Sequence, residues 1–283
     1  MPELPEVETT KNSLLPLIGQ TVSSVQVIQP KLRWPVPDSI SQLTGRTLTK
    51  LERRAKYILA HFTDPQATAD HEPLILLLHL GMSGSLTLTP FDRALRKHDH
   101  VVLGFGAEQL RYHDPRRFGA MLWLDDQSDS LLAKLAPEPL SLAFNADYLY
   151  AKIRHKNTAI KTAIMDNHIV VGVGNIYATE ALFHCAIHPL RSAKSLSKTE
   201  VITLTAEIKR ILQQAIELGG STLRDYVNGR GENGYFQQTL DVYGRAKQPC
   251  NVCQTEIETV KIGQRASAFC PKCQPLAPKK ITP

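Results

Sequence analysis

Four cysteines near the carboxyl-terminal end constrain the fold of this chain more than any other feature. Cys250-x2-Cys253 and Cys270-x2-Cys273 are separated by sixteen residues, a spacing typical of zinc ribbons, in which two hairpin turns hold one tetrahedral ion. Two disulfides or four unrelated thiols are the alternatives, and a cytosolic chain disfavours disulfides. The pattern therefore predicts one bound Zn²⁺, with a structural role because four thiolates leave no open coordination position.

The first half of the chain has the pattern of a β-rich domain. With 283 residues, the chain is long enough for about two domains with buried cores. An opening helix is predicted near residues 5–15. Short β-prone runs separated by Gly, Pro and Asp follow it, which is typical of a sandwich or barrel. The predicted strands contain Val25 and Val27, 54–62, 74–80, Leu86 and Leu88, 100–105, 109–112 and 120–124.

The second half changes to a helical pattern. A proline-containing linker is predicted at 135–145, and helices are predicted at 148–165 and 175–185. Ser197-Lys-Thr-Glu200 has the form of a capping box, and apolar residues then recur at three- and four-residue steps up to Gly219-Gly220. Together with the β-rich first half, these helices predict an α+β fold.

Charge and hydropathy bear on the partner and the location of the chain. It has no run of about 18 apolar residues, and its first residues are acidic where a signal peptide is basic, so we expect a cytoplasmic protein that does not enter a membrane. Residues 244–283 carry seven Lys and Arg against two Asp and Glu. Such an excess favours a polyanionic partner, because cations that neutralise phosphates release counterions. A solvated basic face explains the same charge equally well.

Pro2 is a candidate nucleophile. If Met1 is removed, the ring nitrogen of Pro2 becomes a free secondary amine, and an α-amino group has a pKa of about 7.7–8.0. An unprotonated amine attacks carbonyl-like carbons and forms a Schiff base. The alternative is that Pro2 and Pro5 simply open a helix, where a missing N–H is no loss. Residue types alone favour that structural alternative.

Several motifs, taken in order, resemble those of the formamidopyrimidine-DNA glycosylase family, and the resemblance extends from Met1 to about Cys273. The motifs are Pro2-Glu-Leu-Pro-Glu-Val-Glu8, Arg53-Arg-Ala-Lys-Tyr57, His79-Leu-Gly-Met-Ser-Gly84, Lys97-His-Asp-His100, Asp114-Pro-Arg-Arg-Phe-Gly119, Val171-Gly-Val-Gly-Asn-Ile-Tyr177, Gly219-Gly-Ser-Thr-Leu-Arg-Asp225, and the cysteine quartet with Arg265 inside it. Their order and spacing together are specific, although each motif alone is modest evidence.

The resemblance implies a bifunctional DNA glycosylase and abasic-site lyase of base excision repair. Its substrates would be oxidised purines, namely 8-oxoguanine and formamidopyrimidines. Pro2 would attack the sugar C1′ carbon and expel the base, Glu3 would supply acid catalysis, and β- and δ-eliminations would cut the strand. Lys56, near the damaged nucleotide, and Arg265, on a phosphate, complete the implied catalytic set. The alternative for Lys56 is an ordinary solvated lysine in a strand, but its motif favours the functional role.

The resemblance also implies how DNA is held. A base inside a duplex must be flipped out before its glycosidic carbon can be reached. Met82, Arg116 and Phe118 match the family residues that fill the vacated space, and Arg116 would read the orphaned partner base. Further implied DNA contacts are His79, Arg117, Lys161, Asn175 and Tyr243. Residues implied to surround the flipped lesion are Glu6, Ser221 and Thr222.

The implied architecture is an N-terminal helix with a β-sandwich, a helix-two-turn-helix domain and a four-cysteine zinc ribbon. The expected bounds are 1–134 for the catalytic domain, 135–147 for a linker, 148–236 for the helical domain with its lesion loop, 237–274 for the zinc finger and 275–283 for a flexible tail. The expected partner is double-stranded DNA containing oxidised bases. The protein would act as a monomer on the nucleoid DNA of a bacterial-type cytoplasm.

Two other functions compete with this interpretation. One is an endonuclease VIII-type glycosylase, which removes oxidised pyrimidines with the same proline chemistry. Leu4 and the 114–119 block favour the oxidised-purine branch instead. The other is a zinc-ribbon DNA-binding protein without catalysis. The presence of Pro2, Glu3 and Lys56 argues against it, because binding alone does not need an amine terminus.

Overall fold

The computed structural model describes residues 2–66, 72–124, 131–221 and 235–276. The chain divides into two compact units: Met1–Lys134 with Ile216–Gln237, and Leu135–Ala215 with Gln238–Pro283. Thr222, most of the predicted lesion loop and most of the predicted tail lie outside the described residues. Among the described residues, no helix has both the length and the apolar character needed to cross a bilayer.

The first unit is built from two antiparallel sheets and an N-terminal helix. Its strands are β1 Ser24–Val27, β2 Thr47–Arg54, β3 Tyr57–Thr63, β4 Leu74–His79, β5 Ser85–Pro90, β6 Asp99–Phe105, β7 Glu108–His113 and β8 Ala120–Trp123. Helix α1, Leu4–Ser13, precedes them, and short 3-10 helices lie at Leu15–Leu17 and Asp38–Leu43. One sheet has the order β1-β6-β7-β5 and the other the order β2-β3-β4-β8.

One apolar core joins the two sheets and α1. In β3, Ile58, Ala60 and Phe62 alternate with more exposed residues, so one face of the strand is buried. Leu103 of β6 and Val7 of α1 belong to the same buried cluster. The predicted β-sandwich with an N-terminal helix is therefore confirmed.

The predicted strand at 54–62 is wrong at its beginning. The structure has a hairpin here: β2 ends at Arg54, β3 begins at Tyr57, and Arg54 pairs with Tyr57 across the turn. Ala55 has the left-handed φ of 53° that this tight turn requires. Alanine gives no sequence signal for such a conformation. Strand β2 itself was missed because its register shifts between Leu48 and Lys50, which breaks the period-two alternation.

The later part of the chain is helical and ends in a hairpin. Its helices are α2 Ala146–Ile153, α3 Ile160–Ile164, α4 Asn175–His184 and α5 Lys198–Glu217, with 3-10 helices at Ala193–Ser195 and Phe236–Thr239. The predicted capping box is confirmed, since Ser197 N–H donates to Glu200 Oε2 (2.8 Å) and Glu200 N–H donates to Ser197 Oγ (3.3 Å). Strands β9 Glu258–Ile262 and β10 Arg265–Phe269 form the antiparallel hairpin of the ribbon.

The helix predicted at 148–165 is two helices in the structure. Ile160 N–H donates to the Arg191 carbonyl (2.7 Å), and the Thr158 carbonyl accepts from Ala193 N–H (2.8 Å). These backbone groups therefore pair with a distant segment and do not continue the helix from α2. Asn157 and Thr158 also have low helix propensity. A tertiary contact has overridden the local apolar pattern.

Candidate functional site

The first turn of α1 brings Pro2, Glu3 and Glu6 together. Pro2 and Glu3 are buried, and Glu3 N–H donates to Glu6 Oε2 at 2.8 Å. The other carboxylate oxygen, Oε1, accepts Ser221 N–H at 2.8 Å. Glu6 is only 1% exposed, so its carboxylate links the backbone beside Pro2 to the backbone of Ser221. Three residues predicted for catalysis or lesion binding are thus connected by hydrogen bonds.

Lys56 lies at the turn between β2 and β3. Arg53, three residues earlier, donates from Nε to Glu8 Oε2 of α1 (2.6 Å) and from its guanidinium to the Ala55 carbonyl (2.9 Å). Burial acts to raise the pKa of Glu8, but hydrogen bonds from Lys11 and Arg53 outweigh it and hold that pKa below its usual value. Glu8 is therefore ionised near neutral pH, and its ion pair with Arg53 fixes α1 against the hairpin that carries Lys56.

His79 ends β4, opposite Tyr57 of β3, with the two ring centroids 5.0 Å apart. Burial, aided by the positive charges of Arg33 and Lys56, lowers the pKa of His79 to about 4. Its Nδ1 lies 3.2 Å from the donating N–H of Gly81. The imidazole is therefore neutral near pH 7, with its proton on Nε2. At that pH it acts as a hydrogen-bond donor and carries no positive charge.

Lowering the pH from 7 to 5 is expected to destabilise the wild-type protein by about 2 kcal/mol more than a His79→Gln variant. The unfolded chain binds a proton at His79 with a pKa of about 6.5, whereas the folded protein does so only near 4. Between these values unfolding takes up a proton, so acid favours the unfolded state. Urea unfolding at both pH values measures the difference, with exposed His155→Gln as the control. Equal pH dependence in wild type and His79→Gln would contradict it.

Met82, Arg116 and Phe118 lie on two neighbouring loops of the first unit. Met82, between β4 and β5, is 42% exposed, and Phe118, between β7 and β8, is 43% exposed. The guanidinium carbon of Arg116 lies 4.7 Å from the centre of the Phe118 ring, within the range of a cation–π contact. Arg117, between them, is exposed and has a left-handed φ of 55°. Two large apolar side chains and two guanidinium groups thus face solvent here.

Lys161 is buried within the second unit, with 1% exposure. Its ammonium donates to Asn175 Oδ1 and to Ser267 Oγ, both at 2.7 Å. Asn175, the first residue of α4, in turn donates to the Ala266 carbonyl (3.2 Å). These two hydrogen bonds from a buried ammonium hold the side chain of Asn175 and Ser267 of β10 in place. Arg265, the first residue of β10, is exposed.

Tyr243 is positioned by a residue that the sequence analysis missed. Its backbone N–H donates to Glu180 Oε1 at 2.7 Å, and Asp241 and Val242 also donate their N–H groups to this carboxylate. Glu180 is buried on α4. A carboxylate inside an otherwise apolar helical run was the available signal, because a buried charge must find hydrogen-bond donors.

The four cysteines of the ribbon form a cluster whose geometry fits one zinc ion. All four sulfurs lie within 4.8 Å of one another, with Cys253 and Cys270 Sγ 3.4 Å apart and Cys250 and Cys273 Sγ 3.9 Å apart. A tetrahedral ion with Zn–S bonds of about 2.3 Å requires sulfurs about 3.8 Å apart. Val252 N–H and Cys273 N–H each lie 3.4 Å from a cysteine sulfur, as donors that stabilise thiolates. The cluster therefore suits one structural Zn²⁺.

Three family models match successive parts of the chain. The Formamidopyrimidine-DNA glycosylase N-terminal domain matches residues 1–121, the Formamidopyrimidine-DNA glycosylase H2TH domain matches 135–227, and the zinc finger found in FPG and IleRS matches 247–276. The chain is 61% identical over 281 residues to the formamidopyrimidine-DNA glycosylase of Acinetobacter baylyi, covering 99% of this chain and 100% of the relative. It is 57% identical to that of Acinetobacter baumannii, covering 98% of each.

Solved structures agree with these sequence matches. Lactococcus lactis Fpg in complex with DNA containing an abasic site has a TM-score of 0.86 and 34% identity, covering 96% of this chain and 99% of that one. The wild-type L. lactis enzyme with DNA containing N7-benzyl-Fapy-dG has the same TM-score and identity, covering 97% and 100%. The matches extend across both units and the ribbon, so the chain belongs to the formamidopyrimidine-DNA glycosylase family.

Proposed function

We propose that this protein is a bifunctional DNA glycosylase and abasic-site lyase that removes oxidised purines from duplex DNA, with Pro2 as the nucleophile. The N-terminal turn carries the proposal: Pro2 and Glu3 are adjacent and buried, and Glu6 accepts a hydrogen bond from Glu3 N–H. The L. lactis relative is seen bound to DNA containing damaged or abasic nucleotides. Base excision repair is the process in which this activity acts.

The chemistry begins once Met1 has been removed. The lone pair of the Pro2 nitrogen attacks C1′ as the glycosidic bond breaks. The base leaves with the bonding electrons and takes up a proton, which balances the proton that the Pro2 nitrogen releases. Opening of the sugar ring, assisted by a proton from Glu3, gives an iminium between Pro2 and C1′. Eliminations on both sides of the sugar then release the strand ends. The cation of Lys56 favours the neutral, nucleophilic amine.

The remaining site residues are proposed to hold the DNA. Met82, Arg116 and Phe118 fill the space left by the flipped nucleotide, with the apolar side chains as wedges. Phosphate contacts come from His79, Arg117, Asn175, Tyr243 and Arg265. Lys161 acts through Asn175, because Lys161 is itself buried.

Glu6, Ser221 and Thr222 are proposed to border the flipped lesion. Glu6 contributes by accepting a hydrogen bond from Ser221 N–H, which positions the backbone of Ser221.

The same proposal includes the domain bounds and the cellular location. A catalytic domain at 1–134, a linker at 135–147, a helical domain at 148–236, a zinc finger at 237–274 and a tail at 275–283 are consistent with the family matches, which end at residues 121, 227 and 276. The site of action is the nucleoid DNA of the cytoplasm, where the substrate of such an enzyme lies.

A panel of single-lesion duplexes tests the substrate class. Duplexes carrying 8-oxoguanine opposite cytosine and thymine glycol opposite adenine are incubated with the protein, and base release and strand scission are measured separately. We expect faster processing of 8-oxoguanine, with products of both β- and δ-elimination. Preference for thymine glycol would establish the endonuclease VIII-type alternative. Binding without base release would establish the non-catalytic one.

Arg265→Ala is expected to weaken DNA binding and to lower the slope of log K against log salt by about 1, because one phosphate contact releases about one counterion. Arg265 is exposed at the start of β10, so the variant leaves the core intact. Lys152→Ala on the exposed face of α2 removes the same charge and serves as the control. Fluorescence anisotropy across a salt series measures both variants. An Arg265→Ala slope equal to that of Lys152→Ala would refute the phosphate contact.

A further inference from the structure

A buried carboxylate connects the two loops that carry Met82, Arg116 and Phe118. Asp114, the residue directly after β7, is 0% exposed. Its Oδ1 accepts the hydroxyl of Ser83 (2.7 Å), which is the neighbour of Met82. Its Oδ2 accepts Gly119 N–H (2.8 Å), which follows Phe118. One side chain thus holds the loop of Met82 with one oxygen and the end of the loop of Phe118 with the other.

The backbone of Arg116 completes this connection. Its N–H lies 3.3 Å from Ser83 Oγ and 3.3 Å from Asp114 Oδ1, so one donor is shared between the two loops. Arg117 N–H donates to the Asp114 carbonyl (3.1 Å), and His100 Nε2 lies 2.7 Å from the same oxygen. The turn that presents Arg116 and Phe118 is therefore fixed by hydrogen bonds at both ends.

The two loops also touch through their backbones. Gly81 has a left-handed φ of 61°, and a Cβ placed there would lie 2.5 Å from the nitrogen of Gly119 and overlap the backbone of Phe118. Only glycine permits so close an approach. The backbone of the Met82 loop therefore packs directly against the backbone of the Phe118 loop.

We propose that Asp114 and Ser83 are positioning residues that hold Met82, Arg116 and Phe118 as one preformed wedge, ready before DNA arrives. This inference rests on the proposed function, since a wedge has a use only if a nucleotide is extruded. The cation–π contact between Arg116 and Phe118 belongs to the same preformed unit. Ordering these exposed side chains in advance lowers the entropy cost that would otherwise fall on the extrusion step.

The proposal separates two steps of the reaction. Loosening the wedge slows removal of a stacked base, because unstacking and unpairing must be offset by contacts with the inserted side chains. It has little effect on attack at an abasic sugar, where no base has to leave the stack. A general loss of folded protein would slow both reactions equally.

Ser83→Ala is the principal test and Ser83→Thr its matched control, which keeps the hydroxyl. Single-turnover base release from an 8-oxoguanine duplex is compared with borohydride trapping on a duplex that carries a preformed abasic site. For Ser83→Ala we expect base release to fall about tenfold, equivalent to about 1.4 kcal/mol, while abasic-site trapping changes less than twofold. Ser83→Thr is expected to remain within twofold of wild type on both duplexes.

Asp114→Asn provides a second variant with the same shape, in which an N–H₂ group replaces one acceptor oxygen. Asp114→Asn is expected to slow base release from the 8-oxoguanine duplex at least as much as Ser83→Ala does, again with little change in abasic-site trapping. Equal slowing on both duplexes, no slowing by Ser83→Ala, or a Ser83→Thr variant as slow as Ser83→Ala would overturn the positioning role while the wild type remains active. A wild-type protein inactive on both duplexes would instead overturn the proposed function, and the inference with it.

Discussion

Borohydride added while the protein processes an 8-oxoguanine duplex is expected to leave protein covalently attached to DNA. Reduction converts the iminium between Pro2 and C1′ into a stable amine, so the complex survives denaturing electrophoresis. A variant with Ser-Gly inserted between Met1 and Pro2 makes the Pro2 nitrogen an amide. It is expected to lose both trapping and base release by at least about a thousandfold, since a nucleophile acting with its partner groups is removed.

The inserted variant has a built-in control, because every side chain of the site is retained. Its affinity for duplex DNA is expected to stay within a few fold of wild type, measured by anisotropy at fixed salt. If the inserted variant is trapped on DNA as efficiently as the wild type, the nucleophile lies elsewhere, and Lys56 is the first candidate. Loss of DNA affinity in parallel with trapping would show that the insertion disturbs more than the amine.

Removal of zinc is expected to abolish DNA binding at physiological salt while leaving the β-sandwich folded. A structural zinc site contributes about 10–16 kcal/mol of apparent binding free energy at pH 7, and that energy is folding energy for the ribbon. Cys250 and Cys270 pack with Phe183 of α4 in one small core, so melting the ribbon exposes that core. It also releases Ser267 from Lys161 and displaces Arg265, the proposed phosphate contact.

Cys253→Ser and Cys185→Ser form the matched pair for the zinc prediction. Cys185 is a free cysteine outside the cluster, so its serine variant is expected to keep one zinc per chain and wild-type affinity. Cys253→Ser is expected to lose zinc and DNA binding together. Metal analysis, circular dichroism and anisotropy measure these outcomes. Zinc is also added back to chelator-treated wild-type protein, to measure whether DNA binding returns. Tight DNA binding by zinc-free protein would contradict the structural role of the ribbon.

The features that the sequence predicted correctly are those with a local chemical pattern. The spacing of Cys250, Cys253, Cys270 and Cys273 is set by metal geometry, so the zinc site can be recognised in the sequence before the fold is known. The alternation in β3 and the capping box at Ser197 are likewise local, and both are present in the structure.

The features that were missed depend on contacts between distant segments. The turn at Ala55 uses a left-handed residue without a glycine signal. The division of the helix predicted at 148–165 depends on hydrogen bonds from residues 191 and 193. The burial of Lys161 depends on Asn175 and on Ser267, which is far away in sequence. Asp114 stood inside a recognised motif, yet its link to Ser83 is visible only in three dimensions.

Tandem mass spectrometry of the borohydride-trapped complex tests the central claim most directly. The complex is digested with nuclease and protease, and the residue carrying the reduced sugar is located. We predict that the modified peptide begins at Pro2, that Met1 is absent from it, and that the sugar is attached to the Pro2 nitrogen. A sugar attached to the side chain of Lys56, or a modified peptide that still begins with Met1, would contradict the assignment of Pro2 as the nucleophile.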